Sequence, residues 1–494
     1  MGILINQTII GSIYTYIGAA LATITGIVFY PWFFSSEEIG VISLLIAYST
    51  IFSQLANLGF DSVTGRLFPY FRNKEKYHFG YGKLLLYFNA LGCIIFTLVF
   101  IGYLQSIIKN EEKIVYLYFA IPIIWANVFF NSLDAYARIV CFNSTWGIFL
   151  KETFQRFLIL LVILIYILFK NFDLFIVFFT VSFILPTIIL ANILIVRKEF
   201  FVKGKVNNEV YNGLKKEIYS VALFGILTSV SSTIISNIDK IMLQHYLGLS
   251  KTGIYTVAYY FSTVMLLIAR TITKASSGII AEAWKKNDKK TISFIYEKSS
   301  LNQLIFSMLL FLFIYSCFNE YKFFLPEIYH DIKPIIFWLL VGCIIEMSTG
   351  ISNLIISTSP KYKYSTYFMI GFIFIIIITN IIFIPRFGVV GAAIASAISI
   401  FLFNFVRWLF LYKSFNLQPF SLKTFYLFIL FTLFFLVLEY IPNIKNLYVT
   451  LIIKLFVIFV FLLTIFFLKI SREISEKFFA YIKNPKSFFS LFNF

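Results

Sequence analysis

Apolar segments long enough to cross a lipid bilayer follow one another along almost the whole chain, separated by short polar breaks. Each segment has about 20 residues, the length that spans roughly 30 Å of hydrocarbon as a helix. Because 60% of the residues are apolar and only 13% are charged, the composition exceeds what a soluble core requires. The pattern therefore predicts an all-α, polytopic integral membrane protein.

The hydropathy pattern predicts fourteen membrane spans, numbered here in chain order. Their predicted bounds are 9–33, 40–60, 84–106, 114–136, 147–169, 174–196, 218–240, 253–273, 300–318, 334–356, 364–385, 389–411, 423–441 and 447–469. Spans 4 and 5 have the weakest signal, because polar residues interrupt both of them. The loss of one span there would invert the sidedness of every later loop.

The placement of basic residues predicts the orientation in the membrane. Most of the 41 Lys and Arg residues lie in the even-numbered loops, at the adjoining helix ends or in the tail after the last span. Positively charged loops stay in the cytoplasm, so both termini are predicted to be cytoplasmic. The net charge of +18 is thus an orientation signal, and its scatter over many loops argues against binding of nucleic acid.

The sequence gives no sign of a processed leader, a disulfide framework or a metal site. The N-terminus has no basic region before its first apolar run, so no cleavable signal peptide is predicted. Cys93, Cys141, Cys317 and Cys343 stand singly in or beside apolar segments and are interpreted as small buried hydrophobic residues. We expect no structural metal and no catalytic residue.

A short pattern repeats in the two halves of the chain. The segment that begins at Gly40 returns as a similar segment that begins at Gly253, each time where a polar break leads into a new apolar run. Such a repeat is typical of transporters built from two similar lobes. We predict an N-terminal lobe with spans 1–6 at 1–200, a C-terminal lobe with spans 7–12 at 201–417, an appended pair with spans 13–14 at 418–469, and a basic cytoplasmic tail at 470–494.

The polar breaks are too short for a folded soluble domain. The stretch 281–290 combines lysines with apolar residues, so it predicts a basic amphipathic extension of span 8 at the inner membrane surface. Catalysis on an external domain is not expected.

Three passages resemble a known family. Asn237 to Tyr260 resembles the hairpin between spans 7 and 8 of polysaccharide flippases, Gly388 to Ser399 resembles the start of their span 12, and the opening segment through Asp61 is similar to their first hairpin. These are O-antigen and capsule-type flippases of the multidrug, oligosaccharidyl-lipid and polysaccharide exporter superfamily. The resemblance implies a two-lobed transporter that moves polyprenyl-pyrophosphate-linked oligosaccharide from the inner to the outer leaflet of a bacterial cytoplasmic membrane.

A pyrophosphate headgroup requires a cation inside the membrane. Arg270, near the inner end of span 8, and Arg407, toward the inner end of span 12, are the candidates, because arginine donates two parallel hydrogen bonds to phosphate. The alternative for both residues is that they reach the inner interface with their charged ends. Arg66, Arg138 and Lys274 lie nearer the cytoplasm and are interpreted as orientation anchors.

Ionisable groups within spans are candidates for ion coupling, because a charge in hydrocarbon is costly. Glu346, in span 10, is the most central acid, and it either exchanges a proton or bonds a neighbouring helix. Lys454 lies near the outer end of span 14, within reach of the interface, and is given no functional role.

Asp239, at the outer end of span 7, is the candidate for a Na⁺ site, because related lipid flippases carry a cation site in that lobe. A carboxylate together with amide and hydroxyl oxygens suits that ion. The other candidate ligands are Thr379, Asn380, Ser396 and Ser399. The alternative is that Asp239 pairs with Lys240 or lies at the interface.

Aromatic and amide side chains on the first two spans of each lobe are candidates for the sugar path, because those helices line the cavity in relatives. Aromatic faces stack on sugar rings and amides bond hydroxyls, although amides also join helices. The candidates are Tyr14, Gln54, Asn57, Tyr255 and Tyr259.

The expected ligand is thus a polyprenyl-pyrophosphate glycolipid, with Na⁺ or H⁺ as a possible coupling ion and no other cofactor. A polysaccharide polymerase and chain-length machinery are candidate partners, besides the membrane lipids. The alternatives are a lipid II flippase, a multidrug exporter of the same superfamily and, in a different class, a membrane glycan polymerase. The chain has no Walker A phosphate loop, so it is not expected to use ATP directly.

Overall fold

The computed structural model describes residues 2–72, 78–107, 112–197, 208–441 and 446–471. Within these ranges, every regular element is a helix, so the predicted all-α class is confirmed. The predicted basic tail lies outside the described residues from 472 onward.

Among the described residues, eleven helices are long and apolar enough to cross a membrane, and a bent pair makes a twelfth span. Two of the eleven are merged pairs, with kinks at Gly248 and Gly388. Dividing them there brings the number to fourteen, the number that the sequence predicts. The protein is therefore a multi-pass membrane protein.

Each predicted span lies within a helix or ends within two residues of one, and several helices extend well beyond the predicted bounds. Spans 1–6 are Ile9–Phe33, Ser36–Phe71, Tyr81–Ser106, Lys113–Val140, Thr145–Phe169 and Phe172–Val196. Spans 7 and 8 share Tyr211–Lys285, span 9 is Lys289–Ser316, and span 10 is the bent pair Lys333–Ser348 and Ser352–Thr358. Spans 11 and 12 share Lys363–Phe415, and spans 13 and 14 are Leu422–Tyr440 and Leu447–Phe467.

The break between spans 7 and 8 is a single kinked residue, whereas the sequence predicts a polar loop at 241–252. Gly248 has φ 80° and Gly388 has φ 61°, both in the left-handed region, where a Cβ would be strained. The chain therefore changes direction at each glycine while helix continues on both sides.

Local capping moves two helix starts outward from the predicted bounds. Span 2 begins at Ser36 because the Ser35 hydroxyl accepts the Glu38 backbone N–H at 3.3 Å and the Glu38 carboxylate accepts the Ser35 N–H at 2.8 Å. Span 9 begins at Lys289, where Asp288 accepts hydrogen bonds from Thr291. Those bonds lower the pKa of the Asp288 carboxyl, since they favour its charged form.

The chain divides into two compact units. The first unit holds Met1–Val257 and Met369–Val389, and the second holds Ala258–Phe368 and Val390–Phe494. In the first, aromatic side chains such as Phe68 and Tyr136 form a buried core. The lobe and pair boundaries drawn from the sequence remain a prediction.

The stretch at 281–290 contributes to the core of the second unit. Its helix continues from span 8 to Lys285, and Trp284 packs with Ile355 and Leu411 while its indole N–H donates to the Ile355 carbonyl at 3.2 Å. The lysines of the stretch are exposed. One face of the predicted amphipathic extension is thus covered by protein.

Candidate functional site

A cavity of about 510 Å³ lies within the second unit, between spans 8, 9 and 10. Span 8 contributes one helical face to it, because residues three, four and seven apart lie on the same side of a helix. That face presents Arg270, Thr273, Lys274 and Ser277. Arg270, predicted from the sequence, therefore lines a cavity, and Lys274, interpreted above as an anchor, lines it one turn further on.

The two cations are available to a ligand. Arg270 and Lys274 are exposed, and neither makes an ion pair with another residue in the described part of the chain. The opposite walls come from Gln303 of span 9 and from Glu346 and Asn353 of span 10. The cavity thus combines two exposed cations with an amide wall that also carries the Glu346 carboxylate.

Glu346 is held by Arg407 of span 12. The guanidinium Nη2 donates to both carboxylate oxygens, at 3.0 Å to Oε1 and 2.9 Å to Oε2, and the Asn404 amide donates to Oε2 at 2.7 Å. The Arg407 side chain is 4% exposed, whereas that of Glu346 is 37% exposed. The Arg407 charge is therefore directed at Glu346, and the carboxylate lies at the cavity wall.

Further hydrogen bonds connect this ion pair to the bend in span 10. The carbonyl oxygen of the Asn404 side chain accepts hydrogen bonds from Arg407 and, at 2.5 Å, from the Thr349 hydroxyl. The Arg407 guanidinium also lies over the Phe403 ring, 4.3 Å from its centroid. A buried network of this kind fixes side chains in one arrangement.

Asp239, in the first unit, accepts hydrogen bonds on both carboxylate oxygens. Asn380 donates to Oδ1 at 2.7 Å and the Tyr255 hydroxyl donates to Oδ2 at 2.9 Å. The Asn380 side chain is fully buried, and its carbonyl oxygen accepts from no described group. The Thr379 hydroxyl donates to backbone carbonyls of its own helix. The geometry thus joins Asp239 to Asn380 and adds Tyr255, which the sequence placed on the sugar path.

The other candidate cation ligands, Ser396 and Ser399, belong to the second unit and are both buried. Lys240, the alternative partner of Asp239, interacts with it electrostatically. The carboxylate and amide oxygens at Asp239 and Asn380 are of the type that binds Na⁺.

Asn57 belongs to a buried network of the first unit. It is 2% exposed, and its amide donates to Asp61 at 3.0 Å and to Ser132 at 2.8 Å. The bond to Ser132 joins spans 2 and 4, the interhelical role that amides have in membrane proteins.

The remaining sugar-path candidates are partly accessible. Tyr14 packs its ring against Phe149 at 5.0 Å, and its backbone carbonyl accepts from Thr153 at 2.8 Å. Gln54 and Tyr259 are half-buried. These residues stay candidates.

Lys454 forms a buried ion pair that the sequence does not predict. The Lys454 ammonium donates to Glu320 at 2.6 Å and to the Ser316 carbonyl at 2.7 Å, and the two charged side chains are 5% and 2% exposed. Hydropathy places Lys454 near the membrane interface, but it does not indicate that Glu320 is buried opposite it. The pair connects span 14 to the segment that follows span 9.

A second missed group surrounds Lys151, in a π-helical stretch of span 5. Its ammonium donates to Asn131 at 2.9 Å and to Asn127 at 3.4 Å. Nearby, Arg138 pairs with Asp134 at 3.1 Å. The sequence signal for this group is the polar interruption of spans 4 and 5, which lowers the hydropathy of both spans.

The fold is that of the transporters of the MOP superfamily. Among solved structures, the lipid II flippase MurJ in its inward closed conformation superposes with a TM-score of 0.70 and 17% sequence identity, over 92% of this chain and 98% of that one. An inward-facing multidrug resistance MATE family transporter gives a TM-score of 0.62 at 14% identity, over 81% and 93%. A multidrug resistance MATE family transporter in an outward-facing conformation gives a TM-score of 0.52 at 14% identity, over 82% of this chain and 94% of that one.

Sequence comparison adds little to this. No family model matches the chain. An uncharacterized membrane protein of Methanocaldococcus jannaschii is 27% identical over 237 residues, which cover 47% of this chain and 46% of that protein. The match therefore spans less than half the length of that relative.

Proposed function

We propose that this chain is a flippase for a lipid-linked oligosaccharide whose headgroup carries a diphosphate. The observation that carries the proposal is the cavity of the second unit, in which Arg270 and Lys274 have no acidic partner among the described residues. Both side chains are exposed at the cavity wall, so a phosphate group in the cavity can accept charge-assisted hydrogen bonds from each of them. The neutral polar wall opposite suits the sugar that follows the diphosphate.

The fold supports transport rather than catalysis, because solved proteins with this fold are transporters and flippases. The proposed substrate is a polyprenyl-pyrophosphate-linked repeat unit of O-antigen, capsule or exopolysaccharide. It moves from the cytoplasmic to the outer leaflet of a bacterial cytoplasmic membrane by alternating access, with both termini in the cytoplasm. A polymerase and chain-length machinery are the proposed consumers of the product.

A lipid II flippase is the second candidate. The similarity to MurJ favours it, since that protein is a lipid II flippase. A diphosphate-linked sugar is common to both candidates, so the cavity does not separate them. The multidrug exporter alternative fits less well, because Arg270 and Lys274 would repel a cationic drug.

We further propose that transport is coupled to a cation. Na⁺ at Asp239, with Asn380 and Thr379 of the same unit as further candidate ligands, is the first possibility. Proton exchange at Glu346 is the second, and it requires release of the carboxylate from Arg407.

The test is flipping in proteoliposomes. A polyprenyl-diphosphate oligosaccharide is placed in the leaflet equivalent to the cytoplasmic one, and its appearance on the other side is read with an impermeant glycosidase. The same vesicles carry a Na⁺ gradient, a pH gradient or neither. We expect appearance with the unmodified chain and its loss with Arg270→Ala. Absence of flipping, together with efflux of a cationic dye, would overturn the proposal.

A further inference from the structure

Span 10 is interrupted where it borders the cavity of the second unit. Its two parts, Lys333–Ser348 and Ser352–Thr358, meet at an angle of 46°. Gly350, in the gap with φ 51°, and Asn353, one residue into the second part, both line the cavity. Irregular backbone at membrane depth is tolerated where it lines a polar cavity, and broken helices form substrate sites in transporters. The position of the break beside the cavity is therefore the one expected of a ligand site in a transporter.

A second, independent observation comes from span 9. Gln303 lines the same cavity, is 1% exposed, and its amide nitrogen donates to no acceptor among the described residues. Buried amide donors in folded proteins are nearly always paired, since an unpaired one is costly. A ligand oxygen in the cavity would supply the missing acceptor.

Glu346 gives the site an acceptor without giving it net negative charge. Its carboxylate is partly exposed to the cavity and is neutralised from behind by Arg407. An ionised carboxylate has about four acceptor positions, so it retains capacity beyond the bonds from Arg407 and Asn404. Hydroxyl or amide N–H groups of a ligand can therefore bond it beside a phosphate.

The break in span 10, Gln303 and Glu346 define a subsite whose chemistry differs from that of the span 8 face, which carries Arg270 and Lys274. The cavity of about 510 Å³ falls within the usual range of small-ligand sites, about 300–1,000 Å³. Arg270 and Lys274 offer charge for phosphate, whereas Gln303 offers a neutral donor and the Glu346 carboxylate, paired with Arg407, offers an acceptor.

We propose that the break in span 10 is a sugar subsite. Gln303 donates to, and Glu346 accepts from, the hydroxyl or acetamido groups of the sugar attached to the diphosphate that Arg270 and Lys274 bind. The inference rests on the proposed function for the diphosphate. Arg407 is a positioning residue, because it acts through Glu346. The same headgroup chemistry occurs in a lipid-linked sugar diphosphate and in a soluble nucleoside diphosphate sugar.

The experiment is calorimetric titration of the full-length chain in lipid nanodiscs with three probes. These are inorganic pyrophosphate, a short-chain prenyl diphosphate N-acetylglucosamine, and uridine diphosphate N-acetylglucosamine. The test variant is Gln303→Leu. The control is Gln244→Leu, because Gln244 is a buried glutamine of span 7 that does not line the cavity. Thermal melting of both variants checks that each is folded.

We expect Gln303→Leu to weaken binding of the prenyl-linked sugar by about tenfold, the effect of one lost hydrogen bond in a buried site, and to leave pyrophosphate binding unchanged. Arg270→Ala should weaken both. Unchanged sugar binding in folded Gln303→Leu, or an equal loss for pyrophosphate, would overturn the subsite. Binding of the uridine probe alone would overturn the lipid-linked source.

The flipping assay separates the two proposals. Sugar-dependent binding that Gln303→Leu weakens, without flipping by the unmodified chain, would support the subsite and overturn the proposed function. If Arg270→Ala abolishes flipping while Gln303→Leu leaves flipping and sugar binding unaltered, the proposed function is supported and the sugar subsite is overturned.

Discussion

Gly40 of span 2 and Gly253 of span 8 pack against each other's helices in a reciprocal contact. A Cβ on Gly40 would lie 2.2 Å from the Leu249 carbonyl oxygen, and a Cβ on Gly253 would lie 1.8 Å from the Ser36 carbonyl oxygen. Each glycine thus faces the turn that precedes the other glycine. The repeat that the sequence shows at these positions is therefore a pair of close-approach sites, where only the absence of a side chain lets the two backbones meet.

A cross-link should hold this contact together, and a side chain at Gly253 should prevent the two backbones from meeting. Ser36 and Ser250 lie beside the two glycines, and their hydroxyl oxygens are 2.7 Å apart. The double variant Ser36→Cys, Ser250→Cys should therefore form a disulfide when the four native cysteines have been replaced. We expect the cross-link to stop flipping reversibly on reduction, because the proposed alternating access would require spans 2 and 8 to separate at this contact. Gly253→Ala should lower the yield of the cross-link, read as a mobility shift on a denaturing gel. Full cross-linking with undiminished flipping would contradict the role of this contact in opening.

The spans could be predicted from the sequence because hydropathy is a local property that each segment carries by itself. The glycine kinks could not be predicted in the same way, since the polar residues between 240 and 253 indicate a loop and yet remain helical up to Gly248. Helix continues there because a single left-handed residue is enough to turn the chain.

The candidate site was predicted in part. Hydropathy singles out Arg270 and Glu346 as charges within spans, but not the direction in which each side chain points. The pairing of Glu346 with Arg407 depends on the rotation of two helices that are far apart in sequence. Gln303 carries no charge and belongs to no motif, so it is identified as a candidate ligand-binding residue only because the structure buries it beside the cavity.

The Glu346–Arg407 pair should be more sensitive to loss of the arginine than to neutralisation of the acid. Arg407→Leu leaves the carboxylate without its partner, and we expect a loss of up to about 3 kcal/mol, the lower end for a broken buried pair, because Glu346 is 37% exposed. Glu346→Gln keeps a hydrogen-bonding group of similar size and should cost less. Melting temperatures in detergent measure both effects. A larger loss of stability for Glu346→Gln than for Arg407→Leu would contradict the predicted ranking of the two variants.

Sodium should stabilise the chain if it binds at Asp239. A ligand that binds only the folded protein adds about 2.7 kcal/mol at a concentration of 100 times its Kd, so the melting temperature should rise with NaCl and not with KCl. Asp239→Asn should abolish that rise, because it removes the carboxylate that Asn380 and Tyr255 now bond. Choline chloride at the same ionic strength is the control. An equal rise with both salts would assign the effect to ionic strength, and a Na⁺-specific rise that persists in Asp239→Asn would place the ion at another site.

The buried pair of Lys454 and Glu320 should attach span 14 to the rest of the second unit. With side chains 5% and 2% exposed, neither charge has solvent to replace its partner. Lys454→Met should therefore destabilise the chain by about 3–5 kcal/mol, because it leaves the Glu320 carboxylate buried and unpaired. The double variant Lys454→Met, Glu320→Leu removes both charges at similar volume, so it should recover most of that loss. Chemical unfolding in mixed micelles measures the three free energies, with Lys322→Met, at a solvent-accessible lysine near the pair, as the control. If the double variant is as unstable as Lys454→Met alone, the loss comes from packing and the ion pair has no part in the attachment.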